Sequence, residues 1–266
     1  MATSNHEIAE TFNLRAGNYA RNEWHRTCAE RLVALCSPSK GSLVLDACTG
    51  TGFAAIAAAK VVGDDGYVYG VDISSGMLHQ ANIAILESGL TNIELLESDV
   101  VMLTQFKSAS FDLITCAAGL LYLPINMVLN SWHRLLKKGG TVAFSTMQAG
   151  SPPAAHIFRS CAAEFGVQLN DPSEALGSVP ACRIALEQAG FEVINIINEN
   201  IGFSEQDLSL AWESNFHSAA HLAVQQLSEE KVRLLKHRYQ DVLANEEREH
   251  PGILNRSGVL YAIARR

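Results

Sequence analysis

The sequence has little of what marks a membrane-spanning, secreted or nucleic-acid-binding chain. No apolar run reaches the roughly 18 residues needed to cross a bilayer, which predicts no membrane span. The opening residues, MATSNHEIAE, lack the apolar core of a signal peptide. Cysteines stand at 28, 36, 48, 116, 161 and 182, with no CxxC pair and no Cys/His spacing suited to zinc. They read as reduced thiols of a cytoplasmic protein without a metal, with Cys48 and Cys116 in or beside apolar segments. Strong charge is sparse as well: charged residues make up 18%, and 28 acids against 20 bases leave a net charge of −8. That balance disfavours a grip on nucleic-acid phosphates.

Apolar residues, at 48% of 266, suffice for a full core and predict one folded domain with an elaboration. Residues 1–40 read as a helical cap, with helical spacing in CAERLVALC. From 41 to 147, β-rich runs (SLVLDA, YVYGVDIS, IELLESD, FDLITCAAG, TVAFSTM) alternate with helical ones. INMVLNSWHRLLKKGG reads as a helix with cations in its last turn and glycines closing it. Such alternation predicts a doubly wound parallel sheet. From 148 to 266 the chain adds helices near 154–166 and 180–189, a strand FEVINIINEN, and a last strand GVLYAIAR, completing seven. Between those two strands lies a long helical stretch, about 204–247. An ordinary connection is about 4–6 residues, so this stretch reads as an inserted lid. Leu208, Ala211, Trp212, Asn215 and Ala219 recur at helical spacing there, and Trp212 and Phe216 are the expected roof of a substrate pocket.

LDACTGTGF, residues 45–53, leaves a buried strand through an acid and two glycines and enters a helix at once. Ligands of open α/β sheets bind beyond the carboxyl ends of the strands, where glycines admit a close approach and a helix N-terminus offers free N–H groups. GTGFAA fits G-x-G-x-x-A, so a nicotinamide dinucleotide is one candidate. The acids favour another. Asp46 precedes the glycines, Asp72 ends the second strand and Asp99 follows Ser98 at the end of the third. Three carboxylates at adjacent strand ends repel a pyrophosphate and suit a nucleoside bearing a cationic or amino group.

VLDACTGTG, VYGVDISSGMLHQA, LLESDV, FDLITCAAGLLYLP and HRLLKKGGTVAFST together resemble the ordered motifs of class I S-adenosylmethionine-dependent methyltransferases, of the ubiquinone/menaquinone-biosynthesis type. The resemblance covers about residues 10–147. It implies a Rossmann-like sheet with an antiparallel last strand, S-adenosylmethionine as cofactor and a small-molecule methyl acceptor. It also implies roles. Asp46 would orient the glycine loop; Thr49, Gly50 and Gly52 would pass the methionyl part, with Tyr19 at its end. Asp72 would hold the ribose, with Ile73 and Met77 against the adenosine. Ser98, Asp99 and Val100 would meet the adenine. Cys116 and Ala117 would lie near the sulfonium. One position departs: the family usually has glycine where this chain has Cys48.

No D/N-P-P-Y follows the fourth strand, which disfavours the methylators of exocyclic amines in nucleic acid and glutamine. The expected reaction is O- or C-methylation of a small, largely apolar metabolite, with alignment as the main catalytic factor. Candidate catalytic groups are His25, Tyr122 and His217. His25 lies in NYARNEWHRT, which in the resembling enzymes folds over the cofactor. Tyr122 follows strand four. His217 is spaced i, i+4 with His221, which predicts one helix face. Rival readings are a methyltransferase-like cyclase or rearrangement enzyme of natural-product biosynthesis, a non-catalytic binding subunit, and a nicotinamide dehydrogenase.

Overall fold

A computed structural model describes residues 5–266. Two helices, α1 (Asn5–Tyr19) and α2 (Glu23–Cys36), precede the sheet. Then strand and helix alternate: β1 (Leu43–Ala47), α3 (Phe53–Val62), β2 (Tyr67–Asp72), α4 (Ser75–Ser88), β3 (Ile93–Glu97), β4 (Phe111–Ala117), α5 (Ile125–Leu135) and β5 (Leu136–Met147). There follow α6 (Pro153–Glu164), α7 (Val179–Gln188), β6 (Glu192–Gly202), α8 (Glu205–Ser209), α9 (Ala211–Phe216), α10 (Glu229–Glu249) and β7 (Arg256–Arg265). The seven strands order as β3-β2-β1-β4-β5-β7-β6. Pairing is parallel from β3 to β5, while β7 runs antiparallel to both β5 and β6, as the resemblance implies.

The sheet is covered on both faces because its central strands are apolar on both. Leu45, Val71, Ile114 and Phe144 pack with Leu129 and Trp132 of α5 and Leu186 of α7. Val44, Val68 and Leu113 face the small residues Ala54, Ala55, Ala58 and Ala59 of α3, which let that helix lie close. Full burial of a Val or Leu side chain contributes about 1.5–3 kcal/mol. A separate core joins Phe158 and Cys161 of α6 to Trp212, Leu235 and Tyr239. The direction in which successive strands are added to the sheet reverses between β1 and β4, which opens a crevice beyond their carboxyl ends.

Two expected helices come out differently. The run LLKKGG does not finish α5. Leu136 already pairs with Phe111 on β4, and a register shift follows before Thr141 pairs with Leu113. Lys137 Nζ reaches both oxygens of Asp112 at 2.8 Å, and Gly139 takes φ +78° in the irregular step, so these glycines serve a bulge rather than a helix cap. The stretch 204–247 is not one helix. Ser204, Ser218 and Ser228 each accept an amide hydrogen bond from two or three residues ahead and start a new element: α8, a 3-10 segment over 219–226 kinked at His221, and α10.

Candidate active site

The site begins in the turn after β1. Cys48, Gly50 and Gly52 all take positive φ, at +54°, +54° and +85°. At Gly52 a β-carbon would stand 3.1 Å from that of Ala81, a tight contact that, with φ +85°, favours glycine where α4 meets the turn. Asp46 ties the turn from below. It is buried; one carboxylate oxygen accepts from Thr49 Oγ1 at 2.7 Å and the other from Thr115 Oγ1 at 2.8 Å. Burial pushes its carboxyl up to about 6, against the pull of those hydroxyls and the Ala55 amide.

Cys48 is tolerated where a glycine was expected, and the structure gives the reason. A left-handed non-glycine residue costs about 1–2 kcal/mol. Its side chain fills space left by a different glycine: a β-carbon on Gly119 would stand 2.6 Å from that of Cys48 and 3.0 Å from Cys116 Sγ. Contact with Cys116 and burial hold the Cys48 thiol protonated, well above the ordinary range.

The other two acids crown the neighbouring strands. Asp72 Oδ2 accepts from the Gly50 amide and Oδ1 from the Ser74 amide, both at 2.9 Å. Burial raises this carboxyl and the Ser74, Gly50 and Ile73 amides oppose the rise. Asp99 accepts from Asn5 Nδ2 at 2.7 Å and from the Val101 amide at 2.8 Å. Both border a cleft of about 870 Å³, counting its open mouth, together with Tyr19, Gly50, Ile73, Met77, Val100 and Ala117. Five other expected cofactor residues, Asp46, Thr49, Gly52, Ser98 and Cys116, do not line it. Thr49 holds Asp46, Ser98 donates its amide to the Asp72 carbonyl at 2.9 Å, and Cys116 is fully buried in the core.

The helix α1 covers the cleft. Asn13 Oδ1 accepts from Ser74 Oγ at 2.7 Å and from the Gly76 amide at 2.9 Å, fastening α1 to the start of α4. Behind it the Tyr19 and His25 rings lie 4.0 Å apart. Burial lifts the Tyr19 phenol far above its ordinary value. Burial, then the nearby Arg15 charge, lowers His25 to about 3, so its imidazole is neutral at pH 7. Asn22 Oδ1 accepts from the His25 amide at 2.9 Å and also lies 2.6 Å from His25 Nδ1. An atom that accepts from an amide is an oxygen, so Nδ1 carries the proton and Nε2 keeps a lone pair.

A second cavity, about 920 Å³, adjoins the cleft. Arg15, His25, Tyr122 and Met147 border both. Its far side holds Arg159, 9% exposed and paired with Asp171 at 2.9 Å, and His221, 3% exposed and stacked on Phe158. Asp171 also accepts the Gly150 and Ser173 amides. His221 Nδ1 lies 2.9 Å from the Asn215 carbonyl, which makes it the donor; Nε2 has no partner. Burial lowers His221 to about 4.

His217 stands apart from this arrangement. The helix α9 ends at Phe216, so His217 and His221 do not share a helix face. His217 lies 3.3 Å from Glu213 on an outer groove and borders neither the cleft nor the second cavity. Trp212 and Phe216 are not the roof either. They stack on each other, and Trp212 packs with Phe158 and Tyr239 in the separate core. The side of the insertion facing the cavity presents Leu208, Ala211, Ser214, Asn215, Ser218 and His221 instead. Arg15, Asn13, Asn22 and Arg159 have no local motif that points to a site. Among the described residues no three metal-binding side chains cluster, and no helix is long and apolar enough to cross a membrane.

A mixed seven-stranded sheet with acids at three neighbouring strand ends and a glycine turn at the switch point defines the methyltransferase class of fold. Residues 44–140 match the family described as a methyltransferase domain. Over 126 residues the chain is 38% identical to a demethylmenaquinone methyltransferase of Geobacillus kaustophilus, covering 47% of this chain and 53% of that one. Over 152 residues it is 32% identical to an aklanonic acid methyltransferase of Streptomyces sp. strain C5, covering 55% and 69%. The match thus spans about half the length of the first relative. Among solved structures, a SAM-dependent methyltransferase from Aquifex aeolicus superposes with TM-score 0.52 at 18% identity, covering 88% of each chain. The chain belongs to the S-adenosylmethionine-dependent methyltransferase family.

Proposed function

We propose that this protein transfers the methyl group of S-adenosylmethionine to a small, largely apolar metabolite, at oxygen or carbon. The observation that carries the reading is the shared border: Arg15, His25, Tyr122 and Met147 bound both the cleft with the acids and the cavity beside it. A donor in the first and an acceptor in the second would meet there. The relatives are named for small molecules, demethylmenaquinone and aklanonic acid.

The cleft residues suit the cofactor, which when bound supplies a methyl carbon already activated by a sulfonium. Asp72 uses one lone pair of each oxygen on an amide and retains others for the ribose diol. Asp99 likewise keeps free lone pairs that would accept from the adenine amino group. Ile73, Met77 and Val100 offer apolar contact to the base. Tyr19 and Gly50 would flank the methionyl end, and Asp46 braces the turn that carries Gly50 through Thr49. His25, lowered to about 3 by burial, is too weak a base to take a phenol's proton, so its neutral Nε2 would only accept a hydrogen bond from the acceptor. The rest of the catalysis is alignment of donor and acceptor.

The test is transfer of an isotopically labelled methyl group across a panel of phenols, quinols and aromatic acids, with S-adenosylhomocysteine measured in parallel. Label in the organic product with equal S-adenosylhomocysteine is expected. Bound cofactor with no label transferred to any acceptor would defeat the reading, and a product of unchanged mass would identify a cyclisation or rearrangement instead.

A further inference from the structure

Arg15 is the cation at the meeting point of the two cavities, and no carboxylate of the described residues pairs with it. Its guanidinium carbon lies 5.8 Å from the centre of the Phe12 ring, and Phe12 meets Tyr122 edge-on at 5.4 Å. The other charges at the second cavity are already engaged. Arg159 is neutralised by Asp171, and Asp207 accepts from the Ser204 amide and hydroxyl at the start of α8. Of the four residues that border both cavities, His25 is held neutral and Arg15 is the one basic side chain that carries charge where the reacting atoms would meet. A half-buried guanidinium without a counter-ion is a standing electrostatic deficit that an anionic ligand removes.

We propose that the acceptor enters as an oxygen anion, a carboxylate or an ionised phenol or enol on an apolar skeleton, and that Arg15 pairs with that oxygen at the junction. This rests on the methyltransferase reading and narrows its substrate class. A lone pair of the acceptor oxygen forms the new O–C bond as the C–S bond breaks, and the C–S electron pair stays on sulfur. The negative charge of the oxygen and the positive charge of the sulfonium disappear together, so no proton moves in the step. That balance explains how a junction whose histidine is buried and neutral can serve without a strong base.

The experiment is calorimetry on the full chain saturated with S-adenosylhomocysteine, using 2-naphthoate and its neutral analogue 2-naphthamide as probes. Naphthoate is expected to bind the wild type at least about tenfold more tightly, the scale of one charge-assisted hydrogen bond. Arg15→Gln brings the ratio close to one, Arg15→Lys keeps most of it, and melting temperature and S-adenosylhomocysteine affinity stay near wild type in both. Equal binding of the two probes by wild type, no binding of either, or a ratio that survives Arg15→Gln would each overturn the proposal. So would a loss of S-adenosylhomocysteine affinity in Arg15→Gln with an unchanged probe ratio, which assigns the guanidinium to the methionyl carboxylate. Those outcomes leave the methyltransferase reading standing; only a wild type that fails to bind S-adenosylhomocysteine removes both.

Discussion

Asp46, Asp72 and Asp99 come from three neighbouring strand ends, and sheet pairing alone sets their order and spacing. His25, Arg159 and His221 come from α2, α6 and a kinked 3-10 segment, and nothing but packing brings them to one cavity. The acid-lined cleft is therefore built by the backbone, and the second cavity by side chains on separate helices. A backbone-built cleft tolerates change in its surroundings, whereas a cavity assembled from helix faces inherits every change in how those helices pack.

The sharpest way to break this comparison is Trp212→Ala. Trp212 is 8% exposed among Phe158, Phe216 and Tyr239. Its truncation is expected to cost about 3–5 kcal/mol in chemical denaturation. The affinity of the remaining folded protein for S-adenosylhomocysteine should stay near wild type. Cofactor affinity falling in step with stability would show that the two sides are not separately built.

Asp72→Asn tests the other side. Loss of a charged acceptor toward the ribose is expected to weaken S-adenosylhomocysteine binding by about 1.5–3 kcal/mol, roughly 10- to 150-fold in calorimetry. Because Asp72 also accepts the Gly50 and Ser74 amides, a modest loss of stability should accompany it. Unchanged affinity would remove Asp72 from the site.

A third test uses pH. His221 is lowered to about 4 in the folded state, below the ordinary histidine value of about 6.5. Between these values the unfolded chain binds a proton that the folded one refuses, so stability falls as pH drops through that window, by up to about 1.4 kcal/mol per pH unit. Asp46, raised to about 6, works in the opposite sense over its own range but is common to both proteins compared. His221→Phe, whose ring can keep the stack on Phe158, should therefore show a shallower acid limb than wild type in denaturation from pH 7 to 4. Parallel limbs would mean that His221 is not held neutral by burial.

The smallest expected effect lies at the surface. Arg31 on α2 holds Glu199 of the edge strand β6 with two hydrogen bonds, and the Arg31 side chain is 42% exposed. Arg31→Ala should lower stability only slightly, and the difference should shrink in high salt. A loss matching that of Trp212→Ala would mean that the link between α2 and β6 carries the cap.

Most of the strand-and-turn half of the fold was legible because its signals are local. A β-rich run ending in an acid, then glycines, then a small-residue helix, states its own conformation, and Asp46, Gly52, Asp72 and Asp99 stand where that pattern puts them. LLKKGG was misread because a helix cap and a bulge ask for the same glycines, and the pairing of Leu136 with Phe111 on β4 decides between them. His217 and His221 were misread because helical spacing was extrapolated through Ser218, which ends one element and begins the next. Cys48 looked like a defect until Gly119, 71 residues on, was found to leave the room its side chain occupies.

By itself the sequence determined the alternation of strands and helices, the glycine turn, the three strand-end acids and the membership of a cofactor family. Those follow from periodicity and from backbone conformations that few residues can adopt, which are properties of neighbours in the chain. Tertiary structure alone decided which residues line the two cavities: Arg15, His25, Tyr122 and Met147 at the junction, Arg159 and His221 beyond it, and Trp212 in a core rather than over a pocket. Those depend on how helices distant in sequence lie against one another, and an amphipathic helix records that one of its faces is covered without recording by what.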